Sequence, residues 1–147
     1  MIAYIDTSAL VKCYLKEAGT DETQALLSEM EHLETSILTE LELTASIEQA
    51  RAIKRINSPE YREIIRRLEQ DIHRGDISFT QVEPAIWKTA KRLIKQRRLR
   101  VGDAIQLACA LETQGRLGDS MQFLCADHSL LGAARLEGLR CKDVSKD

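Results

Sequence analysis

The stretch Met1-Ile2-Ala3-Tyr4-Ile5-Asp6-Thr7-Ser8 decides the fold of this chain. Its first five residues are largely apolar and stop at an acid, which is typical of a short buried strand. Thr7 and Ser8 then open a helical pattern, with one side formed by Leu10, Val11, Tyr14 and Leu15. Because ligands of an open parallel sheet gather beyond the carboxyl ends of its strands, we expect Asp6 to face a functional crevice.

Apolar runs and helical patterns alternate along the rest of the chain. Further strands are predicted over residues 34–37, 77–82, 122–126 and 139–144. Helices are predicted to begin near Thr20, with Leu33 on its apolar side, and then near Leu38, Glu60, Pro84, Asp103 and Leu130. Strands that alternate with helices pair in parallel through right-handed crossovers. The expected fold class is α/β, a three-layer sandwich with a central parallel sheet and helices on both faces, in one domain over residues 1–147.

Composition excludes several classes of protein. With 147 residues, 44% hydrophobic and 30% charged, the chain has the composition of a globular domain. It contains no apolar run near the roughly 20 residues that cross a bilayer, and no signal-peptide pattern, so we expect a cytoplasmic protein without a membrane role. The four cysteines form no C-x-x-C pair and are interpreted as buried small hydrophobic residues: Cys13, Cys109, Cys125 and Cys141.

Four acids are candidates for a shared site, because each lies where a strand ends or near where a helix begins: Asp6, Glu42, Asp103 and Asp127. Each also has an ordinary structural explanation. Asp103 is predicted to cap a helix, and Asp103 and Gln106 loosely match a capping box. Asp6, followed by Thr7 and Ser8, could likewise cap a helix. Asp127 is compatible with a turn, and Glu42 with an exposed helix position beside Glu40. Acids that follow neighbouring strands at a topological switch point would converge on one crevice.

Such convergence requires a counter-charge. Two carboxylates about 4 Å apart repel by roughly 4 kcal/mol at an effective dielectric near 20, which is large beside a total stability of about 5–15 kcal/mol. Oxygen ligands without a supporting histidine or cysteine favour Mg²⁺ or Mn²⁺. Divalent ions of this kind activate water and stabilise leaving oxygens, so the matching reaction is phosphodiester hydrolysis.

The most basic segment runs from Lys88 to Arg100, although the net charge of the chain is −2. Apolar residues recur within it at helical spacing, so it is predicted to be a helix with one buried and one basic face. A solvated helix face is one interpretation, and contact with phosphates is the other. The candidates for nucleic-acid binding are Lys91, Lys95, Arg98 and Arg100. At 4% aromatic residues, base stacking is not expected, so contacts would go mainly to the nucleic-acid backbone.

Four segments together resemble the ordered motifs of PIN-domain proteins, and most specifically VapC-type toxins of toxin–antitoxin pairs. These segments are Asp6-Thr7-Ser8-Ala9-Leu10-Val11-Lys12, Ser36-Ile37-Leu38-Thr39-Glu40-Leu41-Glu42, Asp103-Ala104-Ile105-Gln106-Leu107-Ala108, and Cys125-Ala126-Asp127 with Ala133-Ala134 and Gly138-Leu139. The resemblance spans nearly the whole chain. The chain departs from it at Cys125, where many relatives carry a hydroxyl residue.

The resemblance implies a strand order of 3-2-1-4-5 and a Mg²⁺- or Mn²⁺-dependent endoribonuclease. It implies a homodimer that acts on RNA and is silenced by a cognate antitoxin protein. Asp6, Glu42 and Asp103 would be the core metal ligands, Asp127 a fourth ligand often acting through water, and Ser8 the residue that orients the first carboxylate. Glu40 competes with Glu42 for the second position, and Glu42 fits the spacing from Ser36 better.

Two other functions remain open from the sequence. One is a related nuclease that processes RNA or cuts DNA. The other is a binding module that keeps the fold without metal chemistry and uses the basic helix for RNA or a protein partner. Other phosphoryl-transfer enzymes fit poorly, because the chain contains no glycine-rich P-loop.

Overall fold

A five-stranded parallel sheet forms the centre of the protein in the computed structural model, which describes residues 1–146. Its strands are β1 (Ile2–Ile5), β2 (His32–Ser36), β3 (Ser78–Thr80), β4 (Gln122–Cys125) and β5 (Arg140–Asp143). Their order is β3-β2-β1-β4-β5, so β1 lies in the middle, between β2 and β4. The predicted fold class and strand order are confirmed.

Helices cover both faces of this sheet. They are α1 (Thr7–Leu10), α2 (Thr20–Ser28), α3 (Ile37–Ala52), α4 (Ser58–Arg74), α5 (Pro84–Arg97), α6 (Val101–Leu117) and α7 (His128–Leu136). Alternate residues of β1 enter two separate cores. Tyr4 packs with apolar residues of α5, α6 and α7, whereas Ala3 and Ile5 pack with those of α1, α3 and α4. The sheet is therefore the middle layer of three.

The boundary between α2 and β2 differs from the prediction. Leu33 was expected on the apolar side of the second helix, and the strand was expected over residues 34–37. Instead, α2 ends at Ser28, and Leu33 lies in β2 opposite Ala3 of β1. Pairing with the central strand buries Leu33, and this tertiary contact outweighs the helical spacing of the local sequence.

The first helix is shorter than its apolar pattern predicts. After α1, the chain tightens into a 3₁₀ turn at Val11–Cys13 and then leaves the helix. Tyr14 and Leu15 are still buried, because the irregular segment that follows packs onto the same core. An apolar stripe therefore marked the buried side correctly without fixing the length of the helix.

Asp103 does not cap α6, which corrects a second local prediction. The N-cap residue is Arg100, and Asp103 lies in the first turn of the helix. Gln106 takes no part in a capping box, because its side chain is buried and bonded to other elements. The carboxylate of Asp103 is therefore left without a capping hydrogen bond, near the positive end of the helix dipole.

A complete capping box starts α4 instead. Asn57 accepts a hydrogen bond from the Glu60 backbone N–H, and the Glu60 side chain accepts one from Asn57 N–H. Gly75 ends this helix in the left-handed conformation, as its position after the apolar pattern predicted.

None of the helices within residues 1–146 is long and apolar enough to cross a membrane.

Candidate active site

The four acids predicted from the sequence meet at one end of the molecule. Asp6 follows the central strand β1, and Asp127 follows its neighbour β4. Glu42 lies near the start of α3, which leaves the end of β2, and Asp103 lies in the first turn of α6. The negative charges of Glu42 and Asp103 act on Asp6, and those of Asp127 and Glu42 act on Asp103. The structure thus brings all four carboxylates into one electrostatically coupled group at the carboxyl ends of the strands.

Asp6 is the most buried of these acids, with 4% of its surface exposed. Burial raises its pKa to about 6, hydrogen bonds from Ser8 oppose the rise, and the negative charges of Glu42 and Asp103 add to it. The fold therefore holds a carboxylate in a place where its charged form is poorly solvated. A bound cation would compensate for this cost.

Ser8 links the end of β1 to the end of β4. Its hydroxyl lies 2.5 Å from Oδ2 of Asp6, and its backbone N–H donates to the same oxygen over 3.1 Å. The hydroxyl oxygen also accepts a hydrogen bond from the Ala126 N–H at 3.0 Å. Ser8 thereby fixes the Asp6 carboxylate against the segment that joins β4 to Asp127.

Glu42 is held by donors from two other elements. Its Oε1 accepts a hydrogen bond from the Thr7 hydroxyl at 2.8 Å and one from Gln106 Nε2 at 2.9 Å. Its Oε2 points toward the start of α6, where a Cβ added to Gly102 would lie 3.6 Å away. Glu40, its competitor from the sequence, is exposed and lies outside this network.

Asp127 caps a helix, in addition to its place in the acidic group, whereas the sequence suggested a turn. It is the N-cap residue of α7, and its Oδ1 accepts a hydrogen bond from the Leu130 N–H at 2.9 Å. The sulfur of Cys125 accepts a hydrogen bond from the Asp127 N–H at 3.3 Å. Burial raises the pKa of this thiol, so it stays protonated beside Asp6.

Asp103 is only partly buried, and burial followed by the charges of Asp127 and Glu42 raises its pKa. The positive charge of Arg100 opposes this shift, which places Arg100 beside the acids. The helix start also helps to hold these charges, because unpaired N–H groups at a helix N-terminus favour nearby anions.

Whether a metal ion fits the site depends on which carboxylate oxygens remain available. Asp6, Glu42 and Asp127 show the same pattern of hydrogen bonds. In each, the protein occupies one oxygen and leaves the other open: no hydrogen bond within residues 1–146 reaches Oδ1 of Asp6, Oε2 of Glu42 or Oδ2 of Asp127. Neither carboxylate oxygen of Asp103 accepts a hydrogen bond from a residue within 1–146. Open carboxylate oxygens, without histidine, are the donor set that hard cations prefer.

These open oxygens do not enclose a ready-made cage. No group of three or more His, Cys, Asp or Glu side chains in the described chain is arranged to hold a metal ion. Mg²⁺ is commonly held by one or two carboxylates and several waters, so it does not require such a cage. The residues present therefore fit a hydrated Mg²⁺ or Mn²⁺ ion.

Sequence reasoning missed a buried polar network beneath the acids, formed by Tyr4, Thr7, Thr35, Thr39 and Gln106. Thr39 is central in it and lies 2.7 Å from Thr35 Oγ1 and 2.8 Å from Gln106 Nε2. One available signal was Gln106 itself, a polar residue inside the apolar run from Ala104 to Ala108. Buried polar side chains need partners, so this position indicated a network.

The four predicted nucleic-acid contacts are all exposed and form no ion pair with any described residue: Lys91, Lys95, Arg98 and Arg100. Two neighbouring cations behave differently, because Arg92 and Arg97 both pair with Glu137. Only Arg100 is placed beside the acids by its effect on Asp103. Lys88, the remaining cation of the basic segment, is also exposed and forms no ion pair with a described residue. The segment therefore contains two structural cations and five that are available to a ligand.

Solved structures with the same fold cover almost the entire chain. The structure titled FitAcB from Neisseria gonorrhoeae matches with a TM-score of 0.69 and 15% identity, over 98% of this chain and 99% of that one. PAE2754 from Pyrobaculum aerophilum matches with a TM-score of 0.64 and 20% identity, over 99% and 90%. VapBC2 from Rickettsia felis, bound to a DNA fragment from its promoter, matches with a TM-score of 0.61 and 12% identity, over 97% and 98%.

At the level of sequence, no curated protein matches the chain significantly. The family model of the PIN domain does match, over residues 3–117 of this chain. The matched part includes β1, the acids Asp6, Glu42 and Asp103, and the buried Gln106. Together with the strand order and the placement of the acids, this match shows that the chain belongs to the PIN domain family.

Proposed function

We propose that this protein is a Mg²⁺- or Mn²⁺-dependent endoribonuclease, the toxin of a toxin–antitoxin pair that acts in the cytoplasm. PIN domains are generally nucleases. The observation that carries the proposal is the coupled group of acids, in which Asp6, Glu42 and Asp127 each keep one oxygen open. A site made only of carboxylates and hydroxyls is suited to phosphate ester chemistry assisted by a hard cation.

Each acid has a separate role in this proposal. Asp6, Glu42 and Asp103 would hold the ion, directly or through its waters, and Asp127 would contribute its free oxygen directly or through water. When bound, the ion supplies positive charge to the phosphate and acidifies water for attack on phosphorus. Ser8 keeps Asp6 in one orientation, and Arg100 binds a phosphate of the substrate next to the acids.

The exposed cations of α5 support a polyanionic substrate. Lys91 and Lys95 lie one helical turn apart, are exposed, and form no ion pair with any residue that the structure describes. The choice of RNA over DNA rests on the resemblance to VapC-type toxins. Matched RNA and DNA strands of the same sequence test it: cleavage of the RNA alone supports the toxin function, and preferential cleavage of DNA contradicts it.

Replacement of Asp6 by Asn is the decisive test of metal-dependent catalysis. The substitution keeps the size of the side chain and removes its charge, so the Mg²⁺- or Mn²⁺-dependent cleavage of RNA should be lost while the fold is retained. Asp119→Asn is the matched control, because Asp119 is exposed and lies before β4, at the amino ends of the strands and away from the acidic group. Cleavage that persists in Asp6→Asn would contradict the proposal. RNA binding without uptake of Mn²⁺ by the wild type would identify a binding module instead.

A protein partner belongs to the same proposal. The structural neighbours include a toxin–antitoxin complex from Klebsiella pneumoniae, which matches with a TM-score of 0.56 and 18% identity, over 85% of this chain and 86% of that one. A groove of about 510 Å³ lies between the irregular segment after α1 and the start of α4. Its lining combines apolar residues, among them Leu15, Ile56 and Ile64, with charged side chains. We place the cognate antitoxin in this groove.

Hydrogen exchange with and without the co-expressed product of the adjacent reading frame tests that placement. Protection at the start of α4 supports it, and protection confined to α5 or α7 contradicts it. The proposed homodimer is tested on the same samples by light scattering, where a mass near twice 16.6 kDa is expected for the protein without its partner.

A further inference from the structure

Gln106 connects the acidic site to the centre of the sheet. Only 1% of its surface is exposed, and its amide reaches residues from three other elements. Its Oε1 accepts a hydrogen bond from the Tyr4 hydroxyl at 2.7 Å. Its Nε2 lies 3.0 Å from Thr7 Oγ1, 2.8 Å from Thr39 Oγ1 and 2.9 Å from Glu42 Oε1. No buried side-chain nitrogen or oxygen within residues 1–146 is left without a partner.

The Tyr4 hydroxyl determines which way this amide faces. Tyr4 is fully buried in β1, and its ring stacks on Phe123 of β4 with the centroids 5.9 Å apart. Because the hydroxyl donates to Oε1, the amide nitrogen must face Glu42. A reversed amide would place an acceptor against the carboxylate and would leave the Tyr4 hydroxyl without its acceptor.

The two donors on Glu42 come from outside its own helix. Thr7 belongs to α1 and Gln106 to α6, whereas Glu42 belongs to α3. Both donors bind Oε1, so together they fix the rotation of the carboxylate and leave Oε2 directed toward the first turn of α6. Asp103 lies in that same turn.

We propose that Gln106, oriented by the Tyr4 hydroxyl, is a positioning residue that presents Oε2 of Glu42 to the metal ion. This inference deepens the proposed function and rests on it, since it assigns a task to a residue that touches neither substrate nor ion. Residues that orient metal ligands through hydrogen bonds typically change metal affinity by about 10- to 100-fold when replaced.

Two variants separate positioning from a purely structural role. Gln106→Met keeps the approximate volume of the side chain and removes the hydrogen bonds of both amide atoms, and Tyr4→Phe removes only the hydroxyl. We expect calorimetry to show Mn²⁺ binding weakened about tenfold in Gln106→Met and less in Tyr4→Phe. The double variant should bind Mn²⁺ no more weakly than Gln106→Met alone, because Tyr4 acts through Gln106.

Thr113→Val is the matched control for the loss of a buried hydrogen bond on the same helix. Thr113 is buried on α6, and its hydroxyl bonds to the Cys109 carbonyl and lies near Thr80, away from the acids. This variant should melt at a lower temperature than the wild type and should keep its Mn²⁺ affinity. A folded Gln106→Met variant with wild-type affinity for Mn²⁺ would overturn the proposal.

A metal-free measurement distinguishes failure of this inference from failure of the proposed function. In crystals grown with a chelator, Glu42 should occupy one rotamer in the wild type and several in Gln106→Met. If the wild type takes up no Mn²⁺, the proposed function fails, and these crystals still decide whether Gln106 positions Glu42. A single, unchanged Glu42 rotamer in Gln106→Met would reject the positioning role in either case.

Discussion

Arg97 donates two hydrogen bonds to the same oxygen of Glu137, from Nε over 3.0 Å and from Nη2 over 2.7 Å. Arg92 binds the other oxygen of this carboxylate at 2.7 Å. The hydrogen bond from Arg92 is the main reason that the pKa of Glu137 is lowered. These pairs attach α5 to the end of α7, so two cations of the basic helix have a structural task. The task that we propose for its unpaired cations is nucleic-acid binding.

A matched pair of substitutions should separate the two tasks. Lys95→Ala should weaken RNA binding similarly for all sequences and reduce the salt dependence of the affinity by about one counterion, with little effect on stability. Arg97→Ala should instead lower the free energy of unfolding by about 1 kcal/mol, because it removes a partly exposed ion pair. RNA titrations at several salt concentrations and thermal melts measure both. Equal effects of the two changes on RNA affinity would contradict the division.

The metal-free protein should lose stability as pH rises from about 4 to 6, because burial raises the pKa of Asp6 from 3.8 to about 6. The folded state then binds more protons than the unfolded state in this interval, so the contribution of Asp6 is complete below pH 4 and is lost as pH passes 6. A shift of about two pKa units corresponds to about 3 kcal/mol. Urea unfolding with a chelator present measures the slope.

Asp6→Asn should flatten that slope. The neutral amide carries no charge to desolvate, so the variant should be more stable than the wild type at pH 7 without metal. Asp119→Asn should keep the wild-type slope. A metal-free wild type whose stability increases over this interval would show that other groups outweigh Asp6.

Metal binding should reverse the pH trend. At a Mn²⁺ concentration of 100 times the dissociation constant at pH 7.5, the folded state should gain about 2.7 kcal/mol. At the same Mn²⁺ concentration the gain should be smaller at pH 5, because protons compete for Asp6. Thermal melts with Mn²⁺ and with excess chelator measure this gain. Glu42→Gln should show much less of it, and an equal gain in this variant would argue against Glu42 as a ligand.

Glycine substitutions test the packing around the start of α2. Gly19 has a φ of +87°, and an added Cβ would lie 2.1 Å from the Val144 carbonyl oxygen. Gly75 has a φ of +76° and open space around it. Gly75→Ala should therefore cost only the left-handed backbone strain, about 1–2 kcal/mol, whereas Gly19→Ala should cost more. Gly115→Ala in α6, with open space and helical geometry, should stabilise by about 0.5–1 kcal/mol. Equal melting temperatures for the Gly19 and Gly75 variants would contradict the predicted clash.

The sequence indicated the strand ends well because they are local features. The apolar run before Asp6 and the run from Gln122 before Asp127 both become strands of the parallel sheet, and the acids follow them directly. Strand order required the resemblance to PIN domains, because spacing within one segment does not tell which strands pair. Leu33 shows the limit of prediction from local spacing. Its helical spacing is a feature of the neighbouring sequence, whereas its pairing with Ala3 depends on a strand about 30 residues away.

The buried network could not be predicted for a related reason. Gln106 and Tyr4 are separated by 102 positions, and Gln106 and Glu42 by 64. A hydrogen bond over such distances follows from the crossing of α6 over the sheet and leaves no periodic pattern in either segment. Asp103 was assigned to the wrong helix position because Asp is frequent both at the N-cap and in the first turn.

The central place of β1 has a consequence for biosynthesis. Asp6 is translated before the other three acids of the site. Its backbone N–H nevertheless bonds to the Leu124 carbonyl, and its strand pairs with β4, which is translated more than a hundred residues later. A nascent chain therefore carries Asp6 and Glu42 while the wall of the crevice that bears Asp127 does not yet exist. Translation order itself delays the assembly of the acidic site until β4 and Asp127 have emerged.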